Sequence, residues 1–173
     1  MKNSVIAVAS FGMNSDTVFA ASLICRGIVC FSLLVLSIVD WRWYEIPPSC
    51  TAAVFVAGIG TIFLEPAGFA ASLAGMFIIS LPLYLLEVFS RGKAIGGGDV
   101  KLMAAAGLFL GWKKCLLAFL LACVSGSVIH AARMKWAGVG RELAFGPYLS
   151  LGIFISMWWG DALIGWYLAE AFR

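Results

Sequence analysis

Charge is scarce in this chain of 173 residues: 12% are Asp, Glu, Lys or Arg, and there is one histidine. Soluble globular domains run to about 25% charged residues, so a water-soluble fold is the class this scarcity excludes. No two of the five cysteines (Cys25, Cys30, Cys50, Cys115, Cys123) stand as a CxxC pair. That excludes zinc knuckles and ribbons, and the thiols, lying in or beside apolar runs, read as free and packed like small apolar residues. With one histidine and no companion ligands, neither a metal nor a cofactor is expected. The net charge of +3 bears on membrane topology rather than on nucleic acid, and no nucleic-acid partner is expected. No repeat, low-complexity tract or linker divides the chain, so residues 1–173 are read as a single polytopic membrane domain.

What is abundant is apolar: 62% of the residues are hydrophobic and mean hydropathy is +1.00. These residues fall in long blocks rather than in strand-like alternation. Uncharged runs at 46–64, 66–86 and 115–132 are long enough, or nearly so, to cross the ~30 Å hydrocarbon core as helices. The expected fold class is therefore an all-α membrane protein, a bundle of about six transmembrane helices. The spans are placed at about 17–39, 47–64, 68–90, 94–112, 114–132 and 147–168. The short apolar stretch 5–13 and the polar Asn14-Ser15-Asp16 after it do not resemble a cleaved signal peptide, so residues 1–16 are read as an external or interfacial segment. Pro47-Pro48 suits a helix start, and Glu65-Pro66 a tight turn. Small residues at four-residue spacing, Ala71/Gly75 and Ala122/Gly126, suit close helix contacts.

Loops after the first, third and fifth spans hold Arg42, Arg91, Lys93, Arg133, Lys135 and Arg141, against Lys2, Lys113, Lys114 and Arg173 on the other side. The positive-inside rule places the richer side in the cytoplasm and both termini outside.

Ionisable groups at membrane depth are costly, which makes them functional candidates. Asp40 ends the expected first span and Asp99 opens the fourth, so six spans bring both to one side of the membrane. Two carboxyls at one depth can share a proton: one takes a proton from water while the other, protonated, polarises a carbonyl. Asp99 follows Gly96-Gly97-Gly98, a run suited to bent backbone or to close approach by an extended substrate chain.

Three stretches carry a resemblance. Gly96-Gly97-Gly98-Asp99-Val100-Lys101-Leu102 resembles the GxGD signature, followed by Lys-Leu, of type IV prepilin peptidases. Asp40-Trp41-Arg42-Trp43-Tyr44-Glu45-Ile46-Pro47 is similar to their D-x-R-x-x-x-I-P motif, although Pro48 stands where many relatives have Asn or Asp. Phe145-Gly146-Pro147 resembles the FGP motif that opens their last helix. The resemblance implies a multi-pass aspartic endopeptidase of the bacterial inner membrane that removes the short basic leader of prepilins or pilin-like proteins at the cytoplasmic face. Asp40 and Asp99 would be its catalytic acids, Gly96, Gly97, Gly98 and Lys101 the supporting loop, and its partners a prepilin and membrane lipid. Long members carry a further domain with paired CxxC motifs. Without these, the chain resembles the short form associated with Flp-type, tight-adherence pili, and methylation of the mature pilin is not expected.

Other readings stand beside this one. Intramembrane proteases of the presenilin or signal-peptide-peptidase type share GxGD, but usually have Tyr before the first aspartate, where this chain has Val39. A proton-conducting transporter could use the two acids as a relay, and a pilus-assembly scaffold would need neither. Glu87 is expected to reach the interface or to pair with Arg91, His130 to serve at the interface, and the tryptophans to anchor or pack. Arg26 and Asp161 fall at matching depth on the first and sixth spans; each is read as snorkelling or finding backbone partners separately, with a pair between them as the other reading.

The orientation is testable by impermeant thiol labelling of intact cells, in a background without native cysteines. Lys113→Cys should label and Arg91→Cys should not; the opposite pattern would invert the topology.

Overall fold

The computed structural model describes residues 14–64, 68–92, 95–137 and 144–171. Most of the expected external segment, the turn at 65–66 and the charges at 2, 93, 141 and 173 lie outside the described residues.

The chain is an all-α membrane protein, with no strand among the described residues. Among the described residues six helices run in order: α1 Ser15–Trp43, α2 Pro48–Leu64, α3 Phe69–Ser90, α4 Gly97–Leu110, α5 Trp112–Ala137 and α6 Gly146–Ala171. Helices α1, α3, α5 and α6 are long and apolar enough to cross a membrane. At 1.5 Å per residue, α2 and α4 reach only about 25 and 21 Å. Their shortness is written in their ends. Pro48 is the first residue of α2, where the missing N–H costs nothing. Gly96, in extended conformation, caps α4 at one end, and Gly111 at φ 75° stops it at the other. The fourth span is thus shorter than the expected 94–112.

The first span is longer than expected. It continues past Asp40 to Trp43, and Tyr44 ends it in the left-handed region (φ 53°), donating its N–H to the Asp40 carbonyl. Asp40 therefore lies one turn inside α1. Ser15 and Asp16, read as external, form the first turn of α1. Helix α3 is two pieces, Phe69–Ile78 and Ser80–Ser90, meeting at Ile79. Pro82 explains the break, since it has no N–H to give the Ile78 carbonyl four residues back. The Ser80 hydroxyl instead bonds the Met76 carbonyl across the interruption.

Helix α4 is the centre of the bundle, packed by α2, α3, α5 and α6. Leu102, Met103 and Ala106 are fully buried there, beside Leu36 of α1, Val54 of α2 and Leu149 of α6. A helix so enclosed must be slim, and glycine supplies the room. A β-carbon on Gly107 would strike the Gly75 carbonyl of α3, and one on Gly75 would strike the Gly107 carbonyl. The outer faces carry Phe31, Phe63 and Phe89, each at least 70% exposed, as suits contact with lipid tails.

Arg26 and Asp161 do not pair. Gly160 lets Lys114 lie against α6, and the Lys114 ammonium takes the Asp161 carboxylate at 2.7 Å. The Arg26 guanidinium instead lies over the Trp158 ring, 5.5 Å from its centroid.

The α3–α4 crossing predicts a contrast between two glycines. Gly107→Ala should lower the melting temperature of the detergent-solubilised protein, consistent with an overpacking cost of about 1–3 kcal/mol. Gly27→Ala on α1, with nothing near its side-chain position, should leave it unchanged or raise it, by up to ~1 kcal/mol of helix propensity. Equal effects would mean that the crossing does not require glycine.

Candidate active site

Up-and-down packing brings the last turn of α1, the start of α4 and the start of α6 to one end of the bundle. Asp40 is 5% exposed, and its Oδ2 accepts the Gly146 N–H at 2.9 Å across 106 residues of sequence. That N–H is one of the amides a helix cannot satisfy within its own first turn, so α6 offers its N-terminus to Asp40. Pro147 follows Gly146 and contributes no donor of its own.

Asp99 is the third residue of α4, half-buried, and its carboxyl takes a hydrogen bond from the Gly96 backbone while its own N–H bonds the Gly96 carbonyl at 3.0 Å. The carboxyl supplies the half of a capping box that reaches back to the N-cap amide, with an aspartate in the usual place of a glutamate, while the glycine N-cap accepts through its backbone carbonyl. Both carboxyls are therefore met by the outward-pointing amides of a helix N-terminus, Asp40 by that of α6 and Asp99 by that of its own α4. The two carboxyls are also close enough for the charge of Asp40 to act on Asp99.

The glycine run has a distinct neighbour at each position. A β-carbon on Gly96 would make an ordinary 3.7 Å contact with Asp99 Oδ2. On Gly97 it would meet Glu87 Oε1 at 2.6 Å, and on Gly98 it would meet Ile46 Cβ at 2.8 Å. Gly146 is equally tight, since its β-carbon would lie 2.7 Å from Asp40 Oδ2. Ile46 belongs to the segment after Asp40, so the three resembling stretches, widely spaced in the chain, touch one another here.

The remaining candidates divide. Lys101 is exposed on α4 and makes no ion pair or hydrogen bond with either acid. Glu87 turns toward Gly97, and no Glu87–Arg91 ion pair forms; Arg91, at φ 53°, ends α3 in the left-handed region. His130 is half-buried, with Nδ1 lacking a hydrogen-bond partner. Arg133 lies over the Trp41 ring at 4.6 Å, tying α5 to α1 beside Asp40. Sequence reading passed over Gly146 as a donor and Ile46 as a packing stop. Both lie within the resembling stretches, but their roles depend on which helix lies opposite.

Residues 27–131 match the type IV leader peptidase family. A prepilin leader peptidase/N-methyltransferase of Legionella pneumophila is 29% identical over 95% of this chain and 58% of its own length. A protein of the same name from Burkholderia pseudomallei (strain 1026b) is 30% identical over 89% of this chain and 50% of its own. The corresponding Aeromonas salmonicida (strain A449) protein is 27% identical over 79% of the chain and 50% of its own. The chain thus spans about half the length of the curated relatives it matches. No solved structure matches it.

The glycine neighbours predict an order of tolerance. Gly96→Ala should be near neutral in melting temperature. Gly97→Ala should be mild, because a flexible Glu87 carboxyl can swing away. Gly98→Ala should be the most damaging, at about 1–3 kcal/mol, because Ile46 Cβ is held by backbone. Gly97→Ala proving worse than Gly98→Ala would refute this account of the turn.

Proposed function

The chain belongs to the type IV leader peptidase family, and on that footing we propose that it is a membrane-embedded aspartic endopeptidase, one polytopic domain, that removes the leader of prepilins. The observation that carries this reading is the convergence of Asp40 and Asp99 at one end of the bundle, each with its carboxyl met by a helix N-terminus. One carboxylate takes the proton from a water as that water attacks the scissile carbonyl. The other, protonated, donates to the carbonyl oxygen; as the C–N bond breaks, the first passes the proton it took from water to the leaving amine and the second regains one from the hydroxyl. The Gly146 N–H holds Asp40 in place while its other oxygen stays available. The glycine turn before Asp99 leaves backbone uncovered where an extended substrate can lie, which matters because a helical peptide bond is shielded.

The names of the relatives support prepilins as the substrate class, and Flp-type prepilins are the proposed members of it. Arg42, Arg91, Lys101, Arg133 and Lys135 lie on helix ends or first turns at the aspartate end. By the positive-inside rule this end faces the cytoplasm of a bacterial inner membrane. The proposed chemistry ends at proteolysis, since the chain holds no paired CxxC motif.

Purified protein incubated with Flp-type prepilins encoded near it should yield a new pilin N-terminus by mass spectrometry. Asp40→Asn and Asp99→Asn keep side-chain shape but cannot cycle a proton, and each should reduce cleavage by about 10²–10⁴-fold or more. Substantial processing by either variant would remove that residue from the mechanism. With S-adenosylmethionine present, the mature N-terminus should stay unmethylated; a gain of one methyl group from this protein alone would overturn the protease-only reading.

A further inference from the structure

At the end of the bundle away from the aspartates, Arg26 presents an unmet need. It lies eleven residues along α1 from Ser15, about 16 Å from the helix start. Its guanidinium has five N–H donors and stays charged, yet its one charge contact is the face of Trp158. A ring face attracts the cation but accepts no conventional hydrogen bond along the N–H plane. The nearby acid, Asp161, is taken by Lys114.

Arg26 opens into a cavity of about 660 Å³. One stripe of α1 with helical spacing, from Ser15 to Arg26, forms a wall; Gly68 and Ser72 of α3 and Lys114 of α5 supply others. Among the described residues no carboxylate lines it. The described lining carries two cationic side chains and no anionic one, and Gly68, the N-cap of α3, brings no side-chain cap to that helix start. The rest of the lining sets four hydroxyl side chains, Ser15, Ser22, Thr61 and Ser72, beside apolar ones, with Phe19, Leu110 and Met157 among them. Asp161 is 85% exposed and outside the lining, and an ammonium has three donors, so Lys114 can serve Asp161 and the cavity together.

Depth selects the ligand. The 29 residues of α1 exceed a ~30 Å hydrocarbon core by about 13 Å. Shared between both ends, that overhang puts Arg26 about 10 Å inside the boundary, within reach of a headgroup for a long basic side chain. We propose that the cavity is a phospholipid site, with the lipid phosphate held by Arg26 and Lys114 and an acyl chain along Phe19 and Met157. A free anion would match the cations but leave the apolar wall without a partner. The site is separate from the aspartates and does not depend on the reading of their chemistry. A bound lipid would hold the ends of α1, α3 and α5 together.

Native mass spectrometry of delipidated protein tests this, titrating dioleoyl phosphatidylglycerol against dioleoylglycerol, which lacks the phosphate. The wild type should retain one phosphatidylglycerol and not the neutral lipid. Arg26→Gln and Lys114→Gln should each weaken retention by about tenfold or more, the scale of a lost charge-assisted hydrogen bond. Arg91→Gln, at the other end, should leave it unchanged. A photoactivatable phosphatidylglycerol on the wild type guards against misfolded variants, and its crosslinks should fall between Val18 and Arg26 or on the start of α3. Equal retention of both lipids, retention untouched by the Arg26 and Lys114 changes, or crosslinks elsewhere would each overturn the proposal. Displacement of the lipid by millimolar inorganic phosphate would do so too, by making the site one for a free anion.

Discussion

Where α3 crosses α4, the carbonyls of Gly75 and Gly107 occupy the space that β-carbons would need, and the position of Asp99 depends on that contact. In a bilayer the hydrophobic effect gives helices little reason to associate, so close backbone packing has to supply it. Helix α4 is too short to span alone and is enclosed by its neighbours. Drawing α3 tightly onto α4 brings the end of α3, and with it Glu87, against Gly97. The same packing presents the first turn of α4 at a level where the end of α1 can meet it.

Around that turn the backbone does much of the work usually given to side chains. Asp40 is held by an amide of α6 and Asp99 by the amide that begins its own helix. In a membrane, a polar group without a partner is expensive, and helix N-termini are a ready supply of unpaired donors. Binding each acid to such a terminus meets both needs and leaves carboxyl oxygens over for the chemistry proposed for them. It also explains the glycines: a side chain at Gly146 or Gly98 would occupy the place of Asp40 or of Ile46.

The two ends of the bundle handle charge differently. At the aspartate end the cations are largely exposed, with Arg133 stacked on Trp41. At the other end Arg26 and Lys114 face a cavity. The sequence invited an Arg26–Asp161 pair because depth along a helix can be counted. Which residue lies beside which at a given depth depends on helix rotation, and Gly160 turned the contest in favour of Lys114.

Much of this was legible in the residues themselves. Long uncharged runs require helices, because a buried backbone in lipid must satisfy its own hydrogen bonds. Six such spans put Asp40 and Asp99 at one end by parity alone. The proline pair marked the start of α2 to within a residue, whereas the glycine run, read inside a span from 94, forms the cap and first turn of α4. Other features were not legible. The extension of α1 to Trp43 depends on a left-handed Tyr44, a conformation uncommon for that residue type. The bond from Gly146 to Asp40, the stop that Ile46 sets on Gly98 and the cavity at Arg26 each join residues from different helices. Periodicity along one helix determines which elements form and how deep each residue lies; only the packing of helices against one another decides which side chains meet.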